Sequence, residues 1–325
     1  MRKNRVRRLS ILLTTLLAAL LTACGGSGVD EAPPPPAQTG ETTLFANASL
    51  LSTATTLATE QVIILDARHS LADYNAGHIP GAIFAPPNAF TETGQDNVLL
   101  PIAELKAKLG AMGITRTSKI VIYDNTTASQ GAGGRLFWLL EYLGCTSVSI
   151  LNGGWDQWLA QLRPVETAAT IHPPITPVAF EVFDAGGVAA ISVDKNQVKA
   201  IVDAGDGSVL VIDARTEPEY AGPDAETTRP GHIPGAINLP YTACYNADKS
   251  VLNYYDLKLL FEAHGFTKAP EKQVIVYSSV GKRSAFIYFL ARLMGYSQVA
   301  NYCGSAKEWA SLDAAAYPMV EGLTP

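Results

Sequence analysis

Short apolar runs rich in β-branched side chains recur along the chain and stop at charged or small polar residues. They include Val62-Ile63-Ile64-Leu65, Ile120-Val121-Ile122-Tyr123, Val209-Leu210-Val211-Ile212 and Val274-Ile275-Val276. Runs of this length and composition predict buried strands. Between them, residues 102–113 and 255–265 carry apolar positions at helical spacing with polar positions opposite, which predicts amphipathic helices. Residues 136–143 and 286–294 are apolar at helical spacing and predict helices packed in a core. Strands alternating with helices predict an α/β fold, with a mainly parallel sheet covered by helices on both faces.

The pattern occurs twice. Val62-Ile63-Ile64-Leu65-Asp66-Ala67-Arg68 returns as Val209-Leu210-Val211-Ile212-Asp213-Ala214-Arg215. Gly77-His78-Ile79-Pro80-Gly81-Ala82-Ile83 returns unchanged at 231–237. Two matches in the same order predict a tandem duplication. The expected domains are 44–163 and 178–325, joined by a linker at 164–177 that contains Pro173-Pro174.

A length of 325 residues suits two domains, each with its own core. Charged residues are only 17% of the chain against 47% hydrophobic, which excludes an extended disordered protein. The net charge of −6, without a basic run beyond the N-terminus, argues against nucleic-acid binding. That N-terminus has a different character. Arg2, Lys3, Arg5, Arg7 and Arg8 precede an apolar stretch at 11–21, too short for a transmembrane helix. It ends in Leu21-Thr22-Ala23-Cys24-Gly25, which resembles the bacterial lipobox. The resemblance implies a signal peptide at 1–23, diacylation of Cys24, and residence in the cell envelope, on the outer membrane. Residues 24–43, with Gly-Gly-Ser-Gly and then Pro33 to Pro36, read as a tether between lipid and domain. In that oxidising compartment, Cys145, Cys244 and Cys303 are three thiols, so at least one is unpaired within the chain.

Candidate chemistry concentrates where the strand at 274–276 ends. Ser278-Ser279-Val280-Gly281-Lys282-Arg283 follows it, and a helical pattern begins at Ala285. A loop there, before a helix N-terminus, predicts an anion-binding cradle of backbone N–H groups. The strand, loop and helix resemble the active-site segment of the rhodanese family, Cys-x-x-Gly-x-Arg, with Gly281 and Arg283 matching and Ser278 standing where the family has its sulfur-carrying cysteine. Asp-Ala-Arg and Gly-His-Ile-Pro-Gly-Ala also resemble rhodanese signatures, and the likeness spans about residues 45–320.

The resemblance implies transfer of sulfane sulfur from thiosulfate or 3-mercaptopyruvate to a thiol or cyanide. It makes Ser278, Ser279, Val280, Gly281, Lys282 and Arg283 the anion loop, with Arg229 against the charged end of the substrate and Asp213 and Arg215 as a brace. The six-residue spacing of this loop resembles the sulfur-sized loop of rhodaneses and not the longer loop of the related dual-specificity phosphatases, which implies that a phosphatase activity is not expected. In the first copy Asp124 stands at the equivalent position and Arg135 comes twelve residues into the segment, which implies an inactive, structural domain.

A serine hydroxyl cannot form a reversible S–S bond, and no histidine–carboxylate pair adjoins Ser278. Three readings stay open. The protein is a non-catalytic anion- or persulfide-binding scaffold of an envelope complex; or the native residue at 278 is cysteine or selenocysteine; or the thiol has moved, to Cys303 after the last strand or to Cys244 on the same rim. No CxxC, HExxH or P-loop pattern points to a metal or nucleotide, and no cofactor is expected.

Overall fold

The computed structural model describes residues 45–168, 175–181, 189–267 and 272–325. The expected signal segment, Cys24 and the tether lie outside the described residues, as do residues 169–174 of the expected linker.

The first domain runs β1 (Leu51–Ser52), α1 (Ala54–Thr59), β2 (Ile63–Asp66), α2 (Leu71–Ala76), β3 (Ile83–Phe84), β4 (Thr91–Glu92), β5 (Gln95–Leu99), α3 (Ile102–Ala111), β6 (Ile120–Tyr123), α4 (Ala132–Tyr142), β7 (Val148–Leu151) and α5 (Gly154–Ala160). The second runs β8 (Ser192–Val193), α6 (Lys195–Ala204), β9 (Leu210–Asp213), α7 (Glu217–Ala221), β10 (Ile237–Asn238), α8 (Tyr254–Ala263), β11 (Val274–Tyr277), α9 (Arg283–Met294), β12 (Val299–Tyr302) and α10 (Ser305–Ser311). Each domain has a five-stranded parallel sheet. The orders, β3-β2-β6-β7-β1 and β10-β9-β11-β12-β8, coincide element for element. The duplication read from the chain is therefore a duplication of fold. The antiparallel β4–β5 hairpin has no counterpart among the second domain's described strands.

The two repeated motifs are latched together by charge. Arg68 Nη2 donates to Asp66 at 2.6 Å and to the carbonyl of Gly77 at 2.7 Å. Arg215 repeats this with Asp213 at 2.6 Å and the Gly231 carbonyl at 2.8 Å. The motif histidines stack on tyrosines, His78 on Tyr74 and His232 on Tyr220, with ring centroids 3.9 and 3.6 Å apart. Polar residues common to both repeats thus close the strand ends from inside the fold.

The core departs from one centre per domain. Nine of eleven residues of α4 and ten of twelve of α9 are buried, because these helices are apolar around most of their circumference. They pack on each other, and a single apolar cluster runs through them from sheet to sheet. Smaller cores cover the outer sheet faces, around Trp158 in the first domain and Trp309 in the second. The α4–α9 contact brings the loops after β6 and β11 to one interface.

Candidate functional site

The loop after β11 is held from three sides. Ser278 donates its N–H to Ser305 Oγ at 3.2 Å, and its carbonyl accepts from the Ala306 N–H at 2.9 Å. Ser278 Oγ, on a residue only 1% exposed, accepts from the Gly281 N–H at 3.1 Å and lies 3.4 Å from Ser284 Oγ. Ser284 donates to Asn301 Oδ1 at 2.7 Å, and Asn301 Nδ2 returns to the Gly281 carbonyl at 3.2 Å. Gly281 has φ +75°, and a Cβ there would fall 2.7 Å from the Cys303 carbonyl oxygen. Conformation and space both demand glycine.

Helix α9 starts at Arg283, two residues earlier than the apolar period suggested, because the polar first turn finds partners across the site. Its N-cap is Lys282, with no side-chain cap, whereas Asp194 and Asn253 cap α6 and α8. The dipole and first amides of α9 are thus left facing the loop.

Charge around the loop is arranged differently from expectation at two arginines. Arg283 forks onto Glu219 at 2.6 and 3.1 Å and donates to Ser279 Oγ at 2.5 Å. Burial works against the Glu219 charge, but bonds from Arg283 and Thr216 outweigh it and hold this carboxyl at about 2. Arg283 is thereby a clamp from loop to α7, its charge already matched. Arg229 is placed elsewhere. Its guanidinium donates to the carbonyls of Ala310, Trp309 and Tyr317 at 2.8 to 2.9 Å, capping the C-terminal end of α10 where free carbonyls attract a cation. Arg215, paired with Asp213, connects to the loop through a residue the sequence did not single out: Arg215 Nη1 reaches Asp224 at 3.2 Å, and Asp224 accepts from Ser279 Oγ at 2.5 Å.

On the inter-domain side, Val280 and Lys282 line a narrow cleft with His69, Asp96 and Arg135 of the first domain. Lys282 Nζ lies 3.2 Å from His69 Nε2. Burial lowers the Lys282 ammonium pKa, and burial with the Lys282 charge lowers that of His69. Arg135, read from sequence as a displaced loop arginine, reaches across the interface instead. It donates to the Gly281 carbonyl at 3.3 Å and to Cys303 Sγ at 2.8 Å.

The three thiols differ. Cys244, proposed for the rim, is fully buried in the shared core and its pKa is raised by burial. Burial likewise pushes Cys145 up to about 12. Cys303 is partly exposed and adjoins the loop.

The first domain answers the same geometry with its own anion. Asp124 accepts from the Thr126 and Gly133 N–H groups, both at 2.8 Å, so its carboxylate occupies the position ahead of α4. Burial raises it to about 6 despite those bonds. The backbone frame is shared: Trp155 N–H donates to the Asp124 carbonyl at 2.8 Å, as Ala306 does to Ser278. Gly154 at φ +50° corresponds to Ser305 at φ +56°. A serine is kept in this unfavourable region because its hydroxyl serves twice, accepting from Ser278 and donating to the Tyr302 carbonyl at 2.8 Å.

Glu219, Asp224, Asn301 and Ser305 were missed in the sequence, and Arg135 was given another role. Only Glu219 left a local signal, the Thr216-x-x-Glu219 capping-box spacing that the structure realises.

A rhodanese-like domain model matches residues 52–161 and 194–312. A thiosulfate sulfurtransferase of Pseudomonas aeruginosa is 33% identical over 256 residues, covering 78% of this chain and 89% of its own. A sulfur carrier protein of Thermus thermophilus is 29% identical, again covering 78% and 89%. Among solved structures, the anaerobic ergothioneine biosynthesis enzyme from Chlorobium limicola, in complex with trimethyl histidine, superposes with a TM-score of 0.74 over 86% of this chain and 72% of its own; at 23% identity this is a likeness of fold. With two matched domains and 33% identity over 256 residues to a thiosulfate sulfurtransferase, the chain belongs to the rhodanese-like family.

Proposed function

We propose that the protein binds a small sulfur-containing anion, of the thiosulfate kind, beside the 278–283 loop and handles sulfane sulfur at the cell envelope, tethered through lipid on Cys24. Ser278 stands at the family's cysteine position and does no covalent chemistry itself. The observation that carries this reading is the loop: the Gly281 N–H is aimed at the Ser278 side chain at the uncapped N-terminus of a twelve-residue helix, with Lys282 and Arg135 on the adjoining cleft. Amides and cations arranged together favour an anion. Thiosulfate as ligand class is supported by the relatives named thiosulfate sulfurtransferases. The acceptor is a thiol or cyanide. A hydroxyl, buried and already accepting a hydrogen bond, gives no route to a persulfide.

A second reading, the non-catalytic scaffold that presents a bound anion or persulfide to an envelope partner, is favoured by the Arg283–Glu219 pairing, which spends the loop's arginine on structure. Calorimetry with thiosulfate and with sulfite on the mature protein tests what both readings share. Binding weakened about tenfold by Lys282→Ala, the loss of one charged hydrogen bond, is the expected result. Absence of binding by the unsubstituted protein overturns the proposal. Conversion of bound thiosulfate to sulfite separates the two readings, since the scaffold leaves it intact.

A further inference from the structure

The guanidinium of Arg135 is buried, with the residue 2% exposed, yet its partners at the interface carry no negative charge. They are the carbonyls of Gly281 and Asp96, at 3.3 and 3.4 Å, the face of Trp138 at 5.0 Å, and Cys303 Sγ at 2.8 Å. Among the described residues it makes no ion pair with a carboxylate. A buried cation calls for a counter-ion. The group its Nη2 is aimed at, at the shortest of these distances, is a sulfur atom that becomes an anion on losing one proton. Neutral, the Cys303 thiol donates to the Asn97 carbonyl at 3.1 Å.

This pair adjoins the candidate loop. A Cβ on Gly281 would lie 2.9 Å from Cys303 Cα and 3.0 Å from Arg135 Nη1, so the loop adjoins both the backbone of Cys303 and the guanidinium that its thiol meets. Arg135 also lines the cleft that holds Lys282. Cys303 is partly exposed, whereas Cys145 and Cys244 are enclosed in apolar core.

We propose that Cys303 is the sulfur-carrying nucleophile of this protein, with Arg135 of the first domain as the counter-ion that positions it. The inference rests on the sulfur-anion reading above and names the atom that reading lacks. The thiol first gives its proton to water. The thiolate then attacks the outer sulfur of thiosulfate; a Cys303 S–S bond forms, the S–S bond of thiosulfate breaks, and sulfite departs with its electron pair. The persulfide anion inherits the Arg135 contact. An acceptor thiolate or cyanide then attacks the terminal sulfur and returns Cys303 as thiolate, so no outside oxidant or reductant is consumed.

The test loads the mature protein with thiosulfate, removes the excess, and locates added sulfur by peptide mass spectrometry before and after cyanide. The expected result is one cyanide-removable sulfur on the Cys303 peptide, sulfite released in equal amount, and no loading of Cys303→Ser. The rate of Cys303 alkylation at one fixed, neutral pH is a second readout. That rate is expected to fall about tenfold in Arg135→Gln and to be largely restored by Arg135→Lys, because a cation in contact with the sulfur stabilises the attacking thiolate. Two outcomes overturn the proposal: sulfur found elsewhere or nowhere while thiosulfate still binds, or an alkylation rate indifferent to Arg135→Gln. Failure to bind thiosulfate at all sinks the sulfur-anion reading itself.

Discussion

Asp124 accepts the Gly133 N–H at 2.8 Å, so the first domain of this protein holds an internal carboxylate where the second has a hydroxyl. Gly133 is in the first turn of α4, and Thr126 N–H completes the cradle. An anion arriving from outside would find these two N–H groups already taken by a side chain.

The same burial makes Asp124 a source of pH dependence. Its folded pKa is about 6 against an ordinary 3.8, so between those values the native state holds a proton that the unfolded chain has lost. Stability is therefore full below about pH 4 and falls as pH rises through about 6, by on the order of 3 kcal/mol. Urea unfolding across this range should show the decline, flattened in Asp124→Asn. Parallel profiles for the two proteins would show that another group is responsible.

Gly134 sets the distance between the domains. A Cβ there would lie 2.4 Å from Phe286 Cα and 2.6 Å from its nitrogen, both backbone atoms with little freedom to yield. Alanine gains about 1 kcal/mol in helix propensity, but forcing α4 and α9 apart costs about 1–3 kcal/mol and disturbs packing along both helices. A net loss of stability is expected for Gly134→Ala in chemical denaturation. An unchanged or raised midpoint would mean that the helices separate at no cost.

The fold was legible because its signals are local. Four-residue β-branched runs, repeated in order, carry strand, sheet and duplication at once, and β6 and β11 are buried at every position as such runs require. The loop was legible for the same reason. What escaped were partners distant in sequence. Arg229 precedes the Gly-His-Ile-Pro motif and was assigned to the substrate, yet the carbonyls it caps belong to residues some eighty positions later. Arg135 looked misplaced within its own loop because its role is in the other domain. Spacing along a chain says nothing about either.

The corrected place of Arg229 has its own consequence. Arg229→Ala should destabilise the second domain by about 1.5–3 kcal/mol, the scale of charged hydrogen bonds, by uncapping α10. Thiosulfate affinity measured well below the melting temperature should not change. A selective loss of affinity with stability intact would return Arg229 to the site.

Anchoring is tested separately. Cys24→Ser removes the thiol that the lipobox Leu21-Thr22-Ala23-Cys24 would present for acylation. The variant should fail to incorporate labelled palmitate and should leave the membrane fraction or accumulate unprocessed. Labelling equal to the parent would refute the lipid anchor.

Replacing Ser278 by cysteine asks how much of the site survives. A thiol there would meet the Gly281 N–H that now donates to the hydroxyl, and would face the uncapped start of α9. Both stabilise a thiolate, bringing its pKa below the ordinary value of about 8.5. Steric demand is modest, since the nearest hydroxyl, on Ser284, lies 3.4 Å away. The clamps through Glu219 and Asp224 do not involve Ser278 Oγ, so the substitution leaves them in place. In a Cys303→Ser background, Ser278→Cys is therefore expected to give thiosulfate-to-cyanide sulfur transfer, read as thiocyanate, where the background alone gives none. Asp124→Cys in that background should give none either, because the loop after β6 runs to Gly131 before its helix begins and lacks the compact six-residue turn. A folded Ser278→Cys protein without transfer would mean that the cradle has lost more than its sulfur atom, and would leave the scaffold reading in possession of the second domain.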